Sequence, residues 1–325
     1  MLILRKVCVV LMSVLLTVNV AEAKPKKQKT KHAHNAITHT ISRTETTLVA
    51  DAHTGTVLYS ENANRRIYPA SLTKMMTLYL AFDALKHKQV SMQTMLPVSA
   101  RAQSARPSKL GLVKGQKISM GDAVMGMIVK SANDAAVTVA ENLGGSEPEF
   151  AHKMNAKAKE LGMEGTHFTN ASGWHDSHQV TTAIDMAKLG LALKRNFPEY
   201  YPWFKKTSFA FHGKVISGHN HVLKQYAGSE GLKTGFTGPA GFNLVTTASK
   251  NGMSLIGVVT GRSSAKVRDA KMMALLDQYF GVEKKQVRYT ELGTHKKVAV
   301  RKKPGHKNVK LAGNGKGAKK HSKRV

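Results

Sequence analysis

Pro69-Ala70-Ser71-Leu72-Thr73-Lys74-Met75-Met76-Thr77 is the stretch on which the reading of this chain turns. Met75, Leu78 and Phe82 recur near helical spacing, and Leu72, Met76 and Leu80 widen the apolar surface. The pattern predicts a helix from about Ser71 to Leu85, buried on most sides. Ser71 opens it, where unpaired N–H groups and the helix dipole favour negative charge. Lys74 follows three residues on, on the same face. A lysine held against a hydroxyl in an apolar, cationic setting loses its proton more readily and can act as a base. Alone, the pair also fits an ordinary serine cap followed by a lysine.

Working outward, Thr46–Ala50 and Thr56–Tyr59 read as two short strands around a turn with Asp51 and Gly55. Helical patterns cover about 121–130, 134–143, Glu147 to Leu161 and Thr181 to Leu193, so 71–195 reads as largely helical. After about 205 the character changes. Residues 207–217, 231–237, 242–249 and 253–260 read as strands, with turn chemistry at Gly238-Pro239-Ala240-Gly241 and Lys250-Asn251-Gly252. Residues 264–280 form a closing amphipathic helix. The fold class is α+β: an antiparallel sheet built from both ends of the body, flanked by helices, with a largely helical subdomain between.

Two further pieces carry chemistry. Ser131-Ala132-Asn133 interrupts two helices. Such a break is either a plain connection or a loop facing a cleft, with Ser131 relaying a proton and Asn133 holding a substrate carbonyl. Lys233-Thr234-Gly235 lies on an expected edge strand that can pair with an extended peptide, Gly235 allowing another backbone close. Ser-x-x-Lys, Ser-x-Asn and Lys-Thr-Gly in this order, the first opening a helix and the third on a strand, form a set found in β-lactamases and penicillin-binding proteins.

On these residues the chain resembles the low-molecular-weight penicillin-binding proteins, the D-alanyl-D-alanine carboxypeptidases, serine peptidases of the β-lactamase/transpeptidase-like fold. The likeness runs from about 45 to 280. It also rests on Ser131-Ala132-Asn133-Asp134-Ala135-Ala136, Gly165–Gly173, Gly231–Thr237 and Ala240-Gly241-Phe242. The resemblance implies roles. Ser71 is the nucleophile, Lys74 the general base and Ser131 a proton relay. Asn133 binds substrate, and Lys233 and Thr234 hold its terminal carboxylate beside Gly235. The N–H groups of Ser71 and Phe236 form the oxyanion hole, and Arg268 assists the carboxylate, its plainer reading being a surface arginine on the closing helix. The substrate implied is a peptidoglycan stem peptide, with β-lactam antibiotics as covalent inhibitors.

Three departures mark this chain. Phe236 stands where the best-known carboxypeptidases carry histidine, and phenylalanine there also occurs in related D,D-endopeptidases. After 283 only about 40 residues remain, too few for the additional β-domain many members carry. Glu230 replaces an expected aspartate before Gly231. A D,D-endopeptidase cutting cross-links is therefore the rival within the fold. A class A β-lactamase is disfavoured, because no Glu-x-x-Leu-Asn pattern follows the second motif. An inactive wall- or membrane-binding protein is the rival from another class.

The ends frame this body. Arg5 and Lys6, the apolar run Val7 to Val20 and Ala21-Glu22-Ala23 read as a signal peptide over 1–23, with a retained anchor as the other reading. A basic segment follows over 24–40, then the peptidase domain over 41–283 and a basic tail over 284–325. The single cysteine, Cys8, falls in the signal. The net charge is +30, and more than half of it sits in two blocks: five lysines from Lys24 to Lys31, and twelve Lys or Arg without an acid over 296–325. Such blocks are solvated tails or adhere to an anionic membrane or wall surface. With an exported body, nucleic acid is not an expected partner. The expected location is the periplasm or cell wall, with no transmembrane helix in the mature chain. Fifteen histidines are scattered. Neither His32 with His34 nor His219 with His221 has an acidic or cysteine partner at a useful spacing, so no metal or cofactor is expected.

Overall fold

The computed structural model describes residues 44–281 and the backbone of 290–291. The expected signal, basic segment and most of the tail lie outside the described residues.

The chain enters on an antiparallel pair, β1 (Thr46–Asp51) and β2 (Thr56–Glu61). Their turn forms because Asp51 Oδ1 accepts from the N–H groups of His53 and Thr54, both at 2.9 Å. A short 3-10 turn, Ala70–Thr73, runs into α1 (Lys74–Lys86). The helical region continues with the short ladder β3 (Met95–Pro97), α2 (Ala100–Gln103), β4 (Lys117–Ser119), α3 (Met120–Met125), α4 (Asn133–Gly144), α5 (Glu147–Glu160) and α6 (Ala183–Asn196). Then come the hairpin β5 (Ser208–Phe211) and β6 (Lys214–Ser217), α7 (His221–Gln225), the strands β7 (Ser229–Thr237), β8 (Gly241–Lys250) and β9 (Met253–Arg262), and α8 (Ala265–Phe280). A last pair, β10 (Thr290–Glu291), adds to β2.

The main sheet has the order β10-β2-β1-β9-β8-β7 and is antiparallel throughout. It is the sheet expected from both ends of the body, with β7 at its edge. Its central strands are apolar on both faces because helices cover both. Leu48, Val245, Ile256 and Val258 meet the helical region through Met75, Leu78, Phe82, Met186 and Leu189. Their alternate neighbours Val49, Leu244, Leu255 and Val259 meet Met272, Leu275 and Leu276 of α8. Each such side chain contributes about 1.5–3 kcal/mol by leaving water.

Three local expectations change. Residues 207–217 are not part of the main sheet: His212 and Gly213 both take positive φ, 48° and 71°, and fold the stretch into its own two-stranded hairpin. The helix expected over 121–130 ends early, as Gly126–Lys130 widens into a π turn that stops at Ser131 in the left-handed region. The ladder of β3 and β4 escapes sequence reading because three residues carry no readable period. By contrast, Asn251 and Gly252, with φ of 52° and 74°, make the tight turn their sequence predicts.

Candidate active site

Ser71 lies inside the 3-10 turn, one residue after Ala70 in the left-handed region at φ 49°. Pro69 stands at the cap position, so the Ser71 hydroxyl is not spent on capping as a serine cap would be. It meets the Lys74 amine instead, Oγ to Nζ at 3.0 Å. Lys74 is fully buried. Its Nζ also donates to Asn133 Oδ1 at 2.6 Å and to the Ser172 carbonyl at 2.5 Å. Burial, and next the neighbouring Lys233 ammonium, hold its pKa well below the ordinary lysine value, with Asp134 opposing. A neutral amine has two N–H groups and one lone pair. Asn133 and Ser172 take the two donors, and the lone pair is left for the Ser71 O–H.

The second motif reaches the same place through backbone geometry. Ser131, at φ 60° and ψ 35°, ends the π turn and turns the chain back into α4. Its Oγ accepts from Lys233 Nζ at 2.9 Å. The Asn133 amide is committed within the protein: Nδ2 donates to the carbonyls of Arg106 at 2.7 Å and Pro107 at 3.3 Å, while Oδ1 holds Lys74.

The third motif approaches from the sheet edge. Lys233 is buried, and its second hydrogen bond goes to the Thr234 carbonyl at 2.9 Å. Burial, then the Arg268 charge, lower its pKa to about 7. Gly235 lies against the Ser71 turn. A Cβ there would stand 3.0 Å from the Pro69 carbonyl oxygen, 3.1 Å from the Ser71 nitrogen and 3.2 Å from the Leu72 nitrogen. The close approach expected of this glycine is therefore to the turn that carries Ser71. Phe236 follows, 55% exposed, its ring 4.2 Å from that of Phe242.

These pieces line one cleft of about 340 Å³, bordered by Ser71, Ser131, Asn133, Thr234, Gly235, Phe236 and Arg268, with Lys74 and Lys233 hydrogen-bonded behind its wall. Arg268 is not a surface residue of the closing helix. It is buried, paired with Asp269 at 2.7 Å, and faces the cleft. Sequence reasoning missed Pro107, Ser108, Gly173, Trp174, His219 and His221, which also line it. Gly173 had a signal of sorts: at φ 80° it packs on the Ala70 carbonyl, where a Cβ would stand 1.9 Å from the oxygen. In sequence the His219–His221 pair suggests nothing beyond a metal ligand. Burial, Lys233 and Arg268 lower the His219 pKa to about 4, so it is neutral at pH 7. Among the described residues no group of three or more His, Cys, Asp or Glu side chains can hold a metal, and no helix is long and apolar enough to cross a membrane.

The site is thus a cleft presenting a hydroxyl with a buried amine hydrogen-bonded to it, with Arg268 on its lining and Lys233 behind its wall. Comparison with known proteins agrees. Residues 29–264 match the D-alanyl-D-alanine carboxypeptidase family, peptidase S11. D-alanyl-D-alanine carboxypeptidase DacF of Bacillus subtilis is 35% identical over 260 residues, 78% of this chain and 67% of that protein. A D-alanyl-D-alanine endopeptidase of Pseudomonas aeruginosa is 33% identical over 219 residues, 64% of this chain and 69% of its own. Penicillin-binding protein 5 of Haemophilus influenzae superposes with a TM-score of 0.70 at 34% identity, over 74% of this chain and 71% of its own. Penicillin-binding protein D2 of Listeria monocytogenes, solved in its ampicillin-bound form, does so at 0.66 and 30% identity, over 74% of this chain and 97% of its own. The match spans 57–67% of the length of the first curated carboxypeptidase relatives. A likeness of this extent, over a fold and a cleft that agree with it, means that the chain belongs to the D-alanyl-D-alanine carboxypeptidase family.

Proposed function

We propose that the chain is an exported serine-type D-alanyl-D-alanine carboxypeptidase that removes the terminal D-Ala of peptidoglycan stem peptides. The observation that carries this is the Lys74 amine, buried and 3.0 Å from the Ser71 hydroxyl. Neutral Lys74 takes the Ser71 proton as Oγ attacks the carbonyl of the penultimate D-Ala. The oxyanion forms against the N–H groups of Ser71 and Phe236. Lys233, Thr234 and Arg268 hold the terminal carboxylate. As the C–N bond breaks, the departing D-Ala amine regains a proton through Ser131, which Lys233 orients. The acyl-enzyme is then cleaved by a water that Lys74 deprotonates. A β-lactam follows the first half of this path and stalls as the acyl-enzyme.

We further read the chain as a signal over 1–23, a basic segment over 24–40, the catalytic domain over 41–283 and a basic tail over 284–325 that adheres to an anionic membrane or wall surface. Periplasmic or wall-associated residence follows from that reading. The test of catalysis is labelled penicillin offered to the full chain and to Ser71→Ala; label on the parent alone is expected, and none, or equal label on both, would sink the proposal. A second reading, a D,D-endopeptidase, is favoured by the apolar exposed Phe236. Release of D-Ala from a pentapeptide without cleavage of a cross-linked dimer decides for the carboxypeptidase; the converse decides against it.

A further inference from the structure

We propose that Asp134, the residue after the second motif, is a positioning residue for the reaction, coupling the Arg106–Leu112 wall of the cleft to the Lys74 amine. The inference rests on the reading of Lys74 as the base.

Asp134 is fully buried and carries no ion pair with a lysine or arginine among the described residues. Its carboxylate is satisfied by backbone instead. Oδ1 accepts from Leu110 N at 3.0 Å and Ala135 N at 2.9 Å. Oδ2 accepts from Gly111 N at 2.8 Å and Leu112 N at 3.0 Å. Three of these four donors belong to one loop, so the loop is wrapped around a charge it cannot leave without stranding it in the core.

The same loop turns back onto Asn133. Ser108 O accepts from Asn133 N at 2.7 Å, and Ser108 Oγ donates to Lys130 O at 2.8 Å. The carbonyls of Arg106 and Pro107 take the Asn133 Nδ2 hydrogens. That fixes which end of the amide faces Lys74, because only Oδ1 can accept from Nζ. The route runs from the Asp134 carboxylate to the loop, from the loop to the Asn133 amide, and from the amide to Lys74. Pro107 and Ser108 also line the cleft, so the element that orients the base touches whatever occupies it.

Asp134 acts on Lys74 by charge as well. Lys233 on β7 and burial favour the neutral amine, and Asp134 on α4 favours the charged one. The facing segment Ala171-Ser172-Gly173 brings only a carbonyl. A first-turn acid of α4 that served helix stability alone would have neither effect.

The experiment is the rate of acylation by labelled penicillin against pH, for the full chain and for Asp134→Asn and Asp134→Glu. The Asn variant, having lost the charge and turned an amide donor toward N–H groups, is expected to acylate about tenfold or more slowly. Its acid limb should move to lower pH by about one unit, because the group that favours protonated Lys74 is gone. The Glu variant keeps the charge and displaces the loop; a slower rate with the parent's acid limb is expected. A slow Asn variant with an unmoved limb, or a Glu variant with the parent's rate, would overturn the proposal. Should the Asn variant not fold, the Glu variant still decides the positioning half. A parent that takes no label removes the base reading itself, which is a different failure from a labelled parent with indifferent variants.

Discussion

Lys233 Nζ donates to Ser131 Oγ at 2.9 Å, joining the edge strand of the sheet to the left-handed residue that ends the π turn. The pairing orients the Ser131 hydroxyl and sets the Lys233 charge behind the cleft wall, where it is proposed to attract the substrate carboxylate. Its pKa, lowered to about 7 by burial and Arg268, makes that charge conditional. A lysine is charged below its pKa, so kcat/KM for a peptide with a free terminal carboxylate is expected to fall as pH rises through about 7. Lys233→Arg keeps a charge throughout and should remove that limb at a lower maximum rate. A pH profile of D-Ala release checks it; an unchanged basic limb in the Arg variant would contradict it.

Gly235 is expected to tolerate no side chain. In Gly235→Ala the new Cβ meets three backbone atoms of the Ser71 turn at 3.0–3.2 Å. The strand and the turn must separate, at a cost of about 1–3 kcal/mol. Penicillin acylation should fall more than tenfold, since about 1.4 kcal/mol misplaced in the transition state is a factor of ten. Thermal unfolding together with acylation kinetics measures both.

Glu147 holds the opposite wall. Its buried carboxylate accepts from Ala171 N at 3.2 Å and pairs with Arg101 at 2.7 Å. Ala171 precedes Ser172, whose carbonyl holds Lys74. Glu147→Ala strands the Ala171 N–H and is expected to cost about 1–3 kcal/mol. It should also lower kcat more than it raises KM, because the base loses a support while the carboxylate site is untouched. Denaturant unfolding and steady-state kinetics on a pentapeptide test the two parts.

Phe236 is expected to govern substrate choice without governing stability. More than half of its surface is exposed, so Phe236→His should change stability by less than about 0.5 kcal/mol. The ratio of pentapeptide trimming to dimer cleavage should rise, since an apolar border becomes a polar one. Parallel product analysis on the two substrates checks the direction.

Much of this was legible from residue type and spacing. Ser71 and Lys74 sit on one face at one-turn spacing, and the β7 to β9 strands announce themselves by the turns between them, Gly238-Pro239-Ala240-Gly241 and Lys250-Asn251-Gly252. What sequence could not give is the walls. Pro107, Ser108 and Trp174 enter the cleft because distant side chains hold their loops. Asp134 and Glu147, which do that holding for two of the loops, look in sequence like ordinary first-turn acids of α4 and α5. The hydrogen bonds that fix the Asn133 amide, to Arg106, Pro107 and Lys74, span 26 to 59 positions, and no local pattern announces them. Arg268 was open between surface and site because the α8 pattern does not say which apolar-flanked cation is drawn into the cleft.

If Ser71 is the attacking group, mass measurement of the protein after incubation with a penicillin, followed by peptide mapping, locates the bond it forms. One adduct is expected, on the peptide that contains Ser71, absent from Ser71→Ala while that variant keeps the parent's unfolding temperature. An adduct on another peptide, or no adduct on the folded parent, would contradict the account.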